Sequence, residues 1–155
     1  MIDIIITSYK EPNSTVRAVK AFLKQKIKGN FKITVVDPFP EVGKFLKKKI
    51  KNKKVEFFLD PGEGKSYALN LLFQEKFSKN KDDIFILTDG DVYVSQNAVS
   101  EIIKKFKDKE IGCVTGKPVS IDPREKKYGY CAGMFFSGID RVRKELSKNK
   151  EFFEC

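Results

Sequence analysis

"GKSYALNLLFQEKF" (64–77), followed closely by "DIFILTDGDVYV" (83–94), is the stretch on which the fold turns. The first part reads as a helix entered from a glycine-containing turn. The second opens with a short apolar run, 83–88, of strand length, and then places Asp89 and Asp91 on either side of Gly90. Runs this short and this apolar suit strands that are covered on both faces. Two carboxylates ~5 Å apart repel by about 3 kcal/mol at an effective dielectric near 20. Water, a lysine or a cation must offset that repulsion.

The same alternation extends in both directions. "IDIIIT" (2–7) predicts a strand, and 14–26 a helix with Val16, Val19, Leu23 and Ile27 on one stripe. "FKITVV" (31–36) predicts a second strand, followed by a helix over 41–50 that carries Val42, Phe45, Leu46 and Ile50. "VEFFL" (55–59) precedes the 64–77 helix. Beyond the aspartates a helix is expected from Ser95 as N-cap, and "IGCVTGKPV" (111–119) as a fifth strand. Five of the six prolines fall at junctions between these segments, and Pro118 lies near the end of the last. Strands alternating with helices predict an α/β chain with a parallel sheet between two helical layers. In such sheets ligands bind beyond the carboxyl ends of the strands. Those ends carry Thr7 to Glu11, Asp37, Asp60 to Lys65, and Asp89 to Asp91.

Composition narrows the function classes. With 155 residues, 14 of them Phe, the chain can bury a core and is not of disordered composition. The net charge of +10 comes from lysines such as those of "KFLKKKIKNKK" (44–54), while arginine stands only at 17, 124, 141 and 143. That balance reads as a solvated lysine surface, with attraction to a membrane surface as a second reading, and no nucleic-acid motif is visible. No apolar run reaches membrane length and no signal peptide is evident, so a cytoplasmic location is expected, with the inner membrane face as the alternative. Cys113, Cys131 and Cys155 lack CxxC spacing and read as reduced thiols.

Each constellation has a plain reading and a chemical one. D-x-D at 89–91 offers two hard oxygen ligands for Mg²⁺ or Mn²⁺, or is a solvated turn. "DPGEGKSYALN" (60–70) brings Gly64 and Lys65 to a helix start, where backbone N–H groups and a point charge suit a diphosphate; it is also an ordinary turn. Leu59 stands where a P-loop needs glycine, so that motif is rejected. Tyr93 likewise departs from the D-x-D-x-[TV] pattern of haloacid-dehalogenase-like phosphatases. Tyr9 could stack on a base and Glu11 and Asp37 could accept hydrogen bonds, though both acids also suit turns and helix entries.

Together these segments resemble the family 2 glycosyltransferases. "IIITSYKEP" is similar to that family's opening strand and its S/T-Y-N-E turn, and "ITVVDP" to its second strand. "PGEGKSYALN" is close to its G-K-x-x-A-L-N segment, "IFILTDGDVYV" to the strand ending in D-x-D, and "IGCVTGKP" to the strand after it. The resemblance implies a Rossmann-like GT-A three-layer sandwich with a mostly parallel sheet. It implies a nucleotide-sugar-binding core over 1–119 and the incomplete start of an acceptor-side region over 120–155. Thr7, Tyr9, Glu11 and Asp37 would surround the base and ribose of a UDP- or GDP-linked sugar. Gly64 and Lys65 would face the diphosphate or ribose, Asp89 the ribose or the metal, and Asp91 would ligate the Mg²⁺ or Mn²⁺ cofactor.

The implied reaction is transfer of the sugar to an acceptor hydroxyl, on a sugar or a lipid-linked acceptor, with inversion. The family's general base, an aspartate in an E-D motif, has no match in 120–155, so the expectation is a transferase shortened after its donor half. The alternative is a catalytically incomplete nucleotide-sugar-binding module, acting as a subunit with a partner chain. A phosphate-handling enzyme is the third reading, disfavoured because no glycine-rich loop follows the first strand. Phe135, Phe136, Phe152 and Phe153 would form an apolar patch if exposed.

Overall fold

β1 (Ile2–Thr7) is the middle of a parallel sheet that also contains β2 (Phe31–Asp37), β3 (Val55–Leu59) and β4 (Ile84–Asp89), in the spatial order β3-β2-β1-β4. This computed structural model describes residues 1–76, 80 and 82–148. The chain divides into two units, Met1–Asn97 and Ala98–Cys155. The sheet lies wholly in the first.

Alternation along the strands explains why both faces are apolar. Ile4, Ile6, Ile33 and Val35 point one way, and Ile5 and Val36 the other; all six are fully or almost fully buried. Burial of each such side chain contributes roughly 2–3 kcal/mol before conformational entropy is counted. On the Ile5 face, Ala68 and Leu72 of α3 (Lys65–Lys76) form a cluster with Ile5 and Val36, and Phe58 and Leu69 close over it. On the other face lie α1 (Pro12–Leu23) and α2 (Pro40–Lys49), which touch each other and β1 to β3. Gly43 of α2 sits against the ring of Phe57, which by alternation points away from Phe58, and a Cβ there would fall 2.5 Å from that ring. Three layers result.

Both helices on that face begin with proline, which suits a first turn whose N–H groups need no intrahelical acceptor. α1 therefore starts two residues before the expected Ser14. The chain runs β1, β2, β3 outward with α1 and α2 on one face, then returns past β1 to β4 with α3 on the other. Strand order reverses between β1 and β4, and at such a point a crevice opens beyond the carboxyl ends.

At the opposite edge of the sheet Asp3 is buried, and its Oδ2 has no partner among the described residues. Burial, and next the charge of Asp83, hold its carboxyl above the usual carboxylate range.

The second unit contains α4 (Ala98–Lys105) and α5 (Lys127–Lys148). Gly129 brings the start of α5 so close to the chain at 122–123 that a Cβ would lie 2.0 Å from the Pro123 carbonyl oxygen. Lys117 and Lys144 both pair with Asp140 and hold its carboxyl below the usual range, Lys117 contributing more. Residues 111–119 form no strand, contrary to the sequence expectation. A strand persists only when a neighbour takes its hydrogen bonds, and this unit has no other strand among the described residues; Gly112, Gly116 and Pro118 favour irregular backbone besides. The helix expected from Ser95 starts at Ala98, because the Ser95 carbonyl instead accepts a 2.7 Å bond from Gln25 Nε2 within the first unit. Phe135 is exposed and Phe136 half-buried, whereas Phe152 and Phe153 lie outside the described residues. No described helix is long and apolar enough to cross a membrane.

Candidate functional site

The crevice is a cleft of about 310 Å³ in the first unit, walled by the ends of β1, β2 and β4, the turn before α3, and α3 itself. Its floor follows from strand register. Thr7 of β1 pairs with Asp89 of β4, so the two side chains emerge side by side on the α3 face. Thr7 Oγ1 donates to Asp89 Oδ1 at 2.9 Å, and Lys65 Nζ, from the first turn of α3, forms an ion pair with the same oxygen. The hydrogen bond from Lys65 comes first, and that from Thr7 adds to it, in holding the Asp89 carboxyl below the usual range against some desolvation. The repulsion implied by Asp89 and Asp91 is thus offset in part by a lysine.

Gly90 stands between them for a steric reason. Its N–H reaches the Thr7 carbonyl at 2.7 Å, and a Cβ would lie 3.0 Å from Thr15 Oγ1 and 3.1 Å from Ser8 Cβ. Close approach of the β4 end to the β1 end leaves little room for a side chain there. Past Asp91 the chain is clamped to α1, with the Arg17 guanidinium 4.3 Å above the Tyr93 ring.

The α3 entry is built by turn chemistry. Asp60 Oδ1 accepts the Gly62 N–H at 2.7 Å, and Gly62 and Gly64 adopt φ of +81° and +103°, a region that favours glycine. The N–H groups of Lys65, Ser66 and Tyr67 make no hydrogen bond among the described residues. They supply donors and the positive end of the helix dipole at the cleft.

The other wall is organised by Asp37, which is fully buried. Its Oδ2 accepts from Ser8 Oγ at 2.6 Å and from the Lys10 N–H at 3.0 Å, and its Oδ1 accepts the Phe39 N–H at 2.8 Å. Those bonds join the β1 and β2 ends, hold Lys10 in a left-handed conformation (φ 59°), and set Tyr9 edge-on to Phe39 with ring centroids 5.1 Å apart. Tyr9 remains largely exposed at the rim.

Glycosyl transferase family 2 matches the sequence over residues 3–155. The chain belongs to glycosyl transferase family 2. Among solved structures that match is that of S. aureus TarS, with TM-score 0.54 and 16% identity, over 79% of this chain and 22% of the TarS chain. This chain therefore spans about a fifth of that structure's length. No curated protein matches. The sheet order and the two helical layers are those of a Rossmann-like GT-A fold, as the family 2 resemblance implied.

Of the residues singled out by the family 2 resemblance, Thr7, Tyr9, Glu11, Gly64, Lys65, Asp89 and Asp91 line the cleft together. Asp37 does not; it lies beneath the wall with both oxygens engaged. Ser8, Pro38, Asp60 and Gly62, to which the resemblance gave no role, also line the cleft. Asp60-Pro61-Gly62 did carry a signal, an Asx turn, whereas nothing local marked Ser8 as the bridge between Thr15, at 2.8 Å, and Asp37.

The donor set fits a cation that shares its coordination with a substrate. Among the described residues no partner is found for Asp89 Oδ2 or for the Asp91 carboxylate, and no group of three or more His, Cys, Asp or Glu converges. Two carboxylates without a closed protein cage suit Mg²⁺ or Mn²⁺ held jointly with phosphate oxygens.

Proposed function

We propose that the cleft binds a nucleoside-diphosphate sugar and that the chain carries the donor half of a glycosyl transfer to an acceptor hydroxyl. The supporting observation is the meeting of Lys65 and Asp89 at the mouth of α3, beside Thr7 and Asp91. Acid, lysine and free N–H groups converge from elements far apart in sequence, an arrangement matched to a diphosphate and its counter-ion.

In this reading the diphosphate takes the N–H groups at the α3 start, and Lys65 turns from Asp89 to a phosphate oxygen. The Tyr9–Phe39 wall receives the base, and Asp37 acts through that wall by fixing the loops that carry it. Thr7 keeps Asp89 oriented. Asp89 and Asp91 would hold a Mg²⁺ or Mn²⁺ ion, whose charge offsets what builds up on the departing nucleoside diphosphate. Open carboxylates rather than a proton donor at the leaving group are consistent with this division of labour.

Calorimetry with UDP and GDP, with and without Mg²⁺ or Mn²⁺, tests the proposal. The expected result is metal-dependent nucleotide binding that weakens in D91N while stability changes by no more than about 0.5 kcal/mol. Failure of both nucleotides to bind under every metal condition would overturn it.

A further inference from the structure

The net charge of +10 is unevenly placed. Residues 24–32 and 44–54 together hold eleven lysines (24, 26, 28, 32, 44, 47, 48, 49, 51, 53 and 54) and no acid. Separated by eleven residues of chain, the two segments meet in space. The Ile33 N–H donates to the Lys54 carbonyl at 2.7 Å, and Lys54 Nζ lies 3.8 Å from the Phe31 ring centroid. Both segments lead into amino ends of strands, β2 and β3, so they occupy the edge of the sheet opposite the cleft. Ten of the eleven lysines are exposed, and among the described residues only Lys32 forms an ion pair, with Glu56.

The chemistry of this face discriminates among polyanions. It has no arginine, so it lacks the fork that reads bases and grips single phosphates. Phe31 and Phe45 are half-buried and covered by Lys54 and Lys49, which leaves no open ring for a nucleobase to stack on. What remains is a spread of mobile point charges on long stems, complementary to a fluid array of headgroup phosphates. We propose that this lysine-clad end of the first unit is a docking face for an anionic lipid surface. Docking there leaves the cleft, at the other edge of the sheet, open to solvent.

Sedimentation with phosphatidylglycerol-containing vesicles, against neutral phosphatidylcholine vesicles, tests the assignment. Partition is expected only with the anionic vesicles and should fall steeply with added salt. A lysine held at such a surface contributes about fivefold to the partition coefficient, so K47Q, K48Q, K49Q and K51Q combined should lower it several hundredfold. These side chains are exposed, and circular dichroism should show an unchanged fold. The combination K104Q, K105Q, K107Q and K109Q removes equal charge from the second unit and should change partition by less than about fivefold. No partition to anionic vesicles, equal losses in the two quadruple variants, or displacement from vesicles by single-stranded DNA at equal phosphate would each overturn the proposal.

Discussion

Replacing Lys65 with methionine separates a weak structural contact from a strong binding one. The Lys65 and Asp89 side chains are 56% and 54% exposed, so their ion pair is a solvent-screened one, worth at most about 1 kcal/mol of stability. A hydrogen bond from the same ammonium to a diphosphate is worth about 1.5–3 kcal/mol, or roughly tenfold to 150-fold in Kd. K65M is therefore expected to unfold in urea within about 1 kcal/mol of the parent while losing one to two decades of affinity for UDP or GDP by calorimetry. A pH series adds a second reading. Lys65 keeps the Asp89 carboxyl below its usual range, so the pair's stabilisation is complete above the ordinary carboxylate pKa and is lost as pH falls through the depressed one. K65M should flatten that acid limb. Unchanged nucleotide affinity accompanied by a stability loss well above 1 kcal/mol would refute the reasoning and make Lys65 a structural prop.

Three further outcomes are expected. G90A forces a Cβ to within 3.0 Å of Thr15 Oγ1 and 3.1 Å of Ser8 Cβ, and should cost about 1–3 kcal/mol in urea unfolding. D37A strips the acceptor from the Lys10 and Phe39 N–H groups and from Ser8; a loss of about 3 kcal/mol is expected, with D37N milder because one oxygen survives. At the far edge, Asp3 has a raised pKa, so the stability it allows is fully present below the ordinary carboxylate value and is lost as pH rises through the raised one. D3N should accordingly add about 1 kcal/mol at neutral pH and little in acid, measured by urea midpoints across that range.

Much of the first unit could be read from residues alone, because the signals there are local. Apolar runs of strand length, prolines at junctions, and an aspartate, proline and glycines ahead of Lys65 each act within a few residues, so β1 to β4, the α3 entry and the D-x-D end of β4 were all legible. The period of a pattern tells which side chains share a face, but not which strand lies alongside. Register did that: it set Thr7 beside Asp89 and brought Lys65 to the same oxygen across 24 positions of chain. Tertiary packing also buried Asp37, whose place before Pro38 suited a turn as well as a ligand contact, and it crowded Gly90 through the approach of Ser8 and Thr15. Residues 111–119 carried strand-like composition, yet a strand needs a neighbour's hydrogen bonds and none of the described residues supplies them there. The lysines told the same story: their number was plain in the sequence, but only the pairing of β2 with β3 gathered them on one edge, because charge is counted along a chain and felt across space.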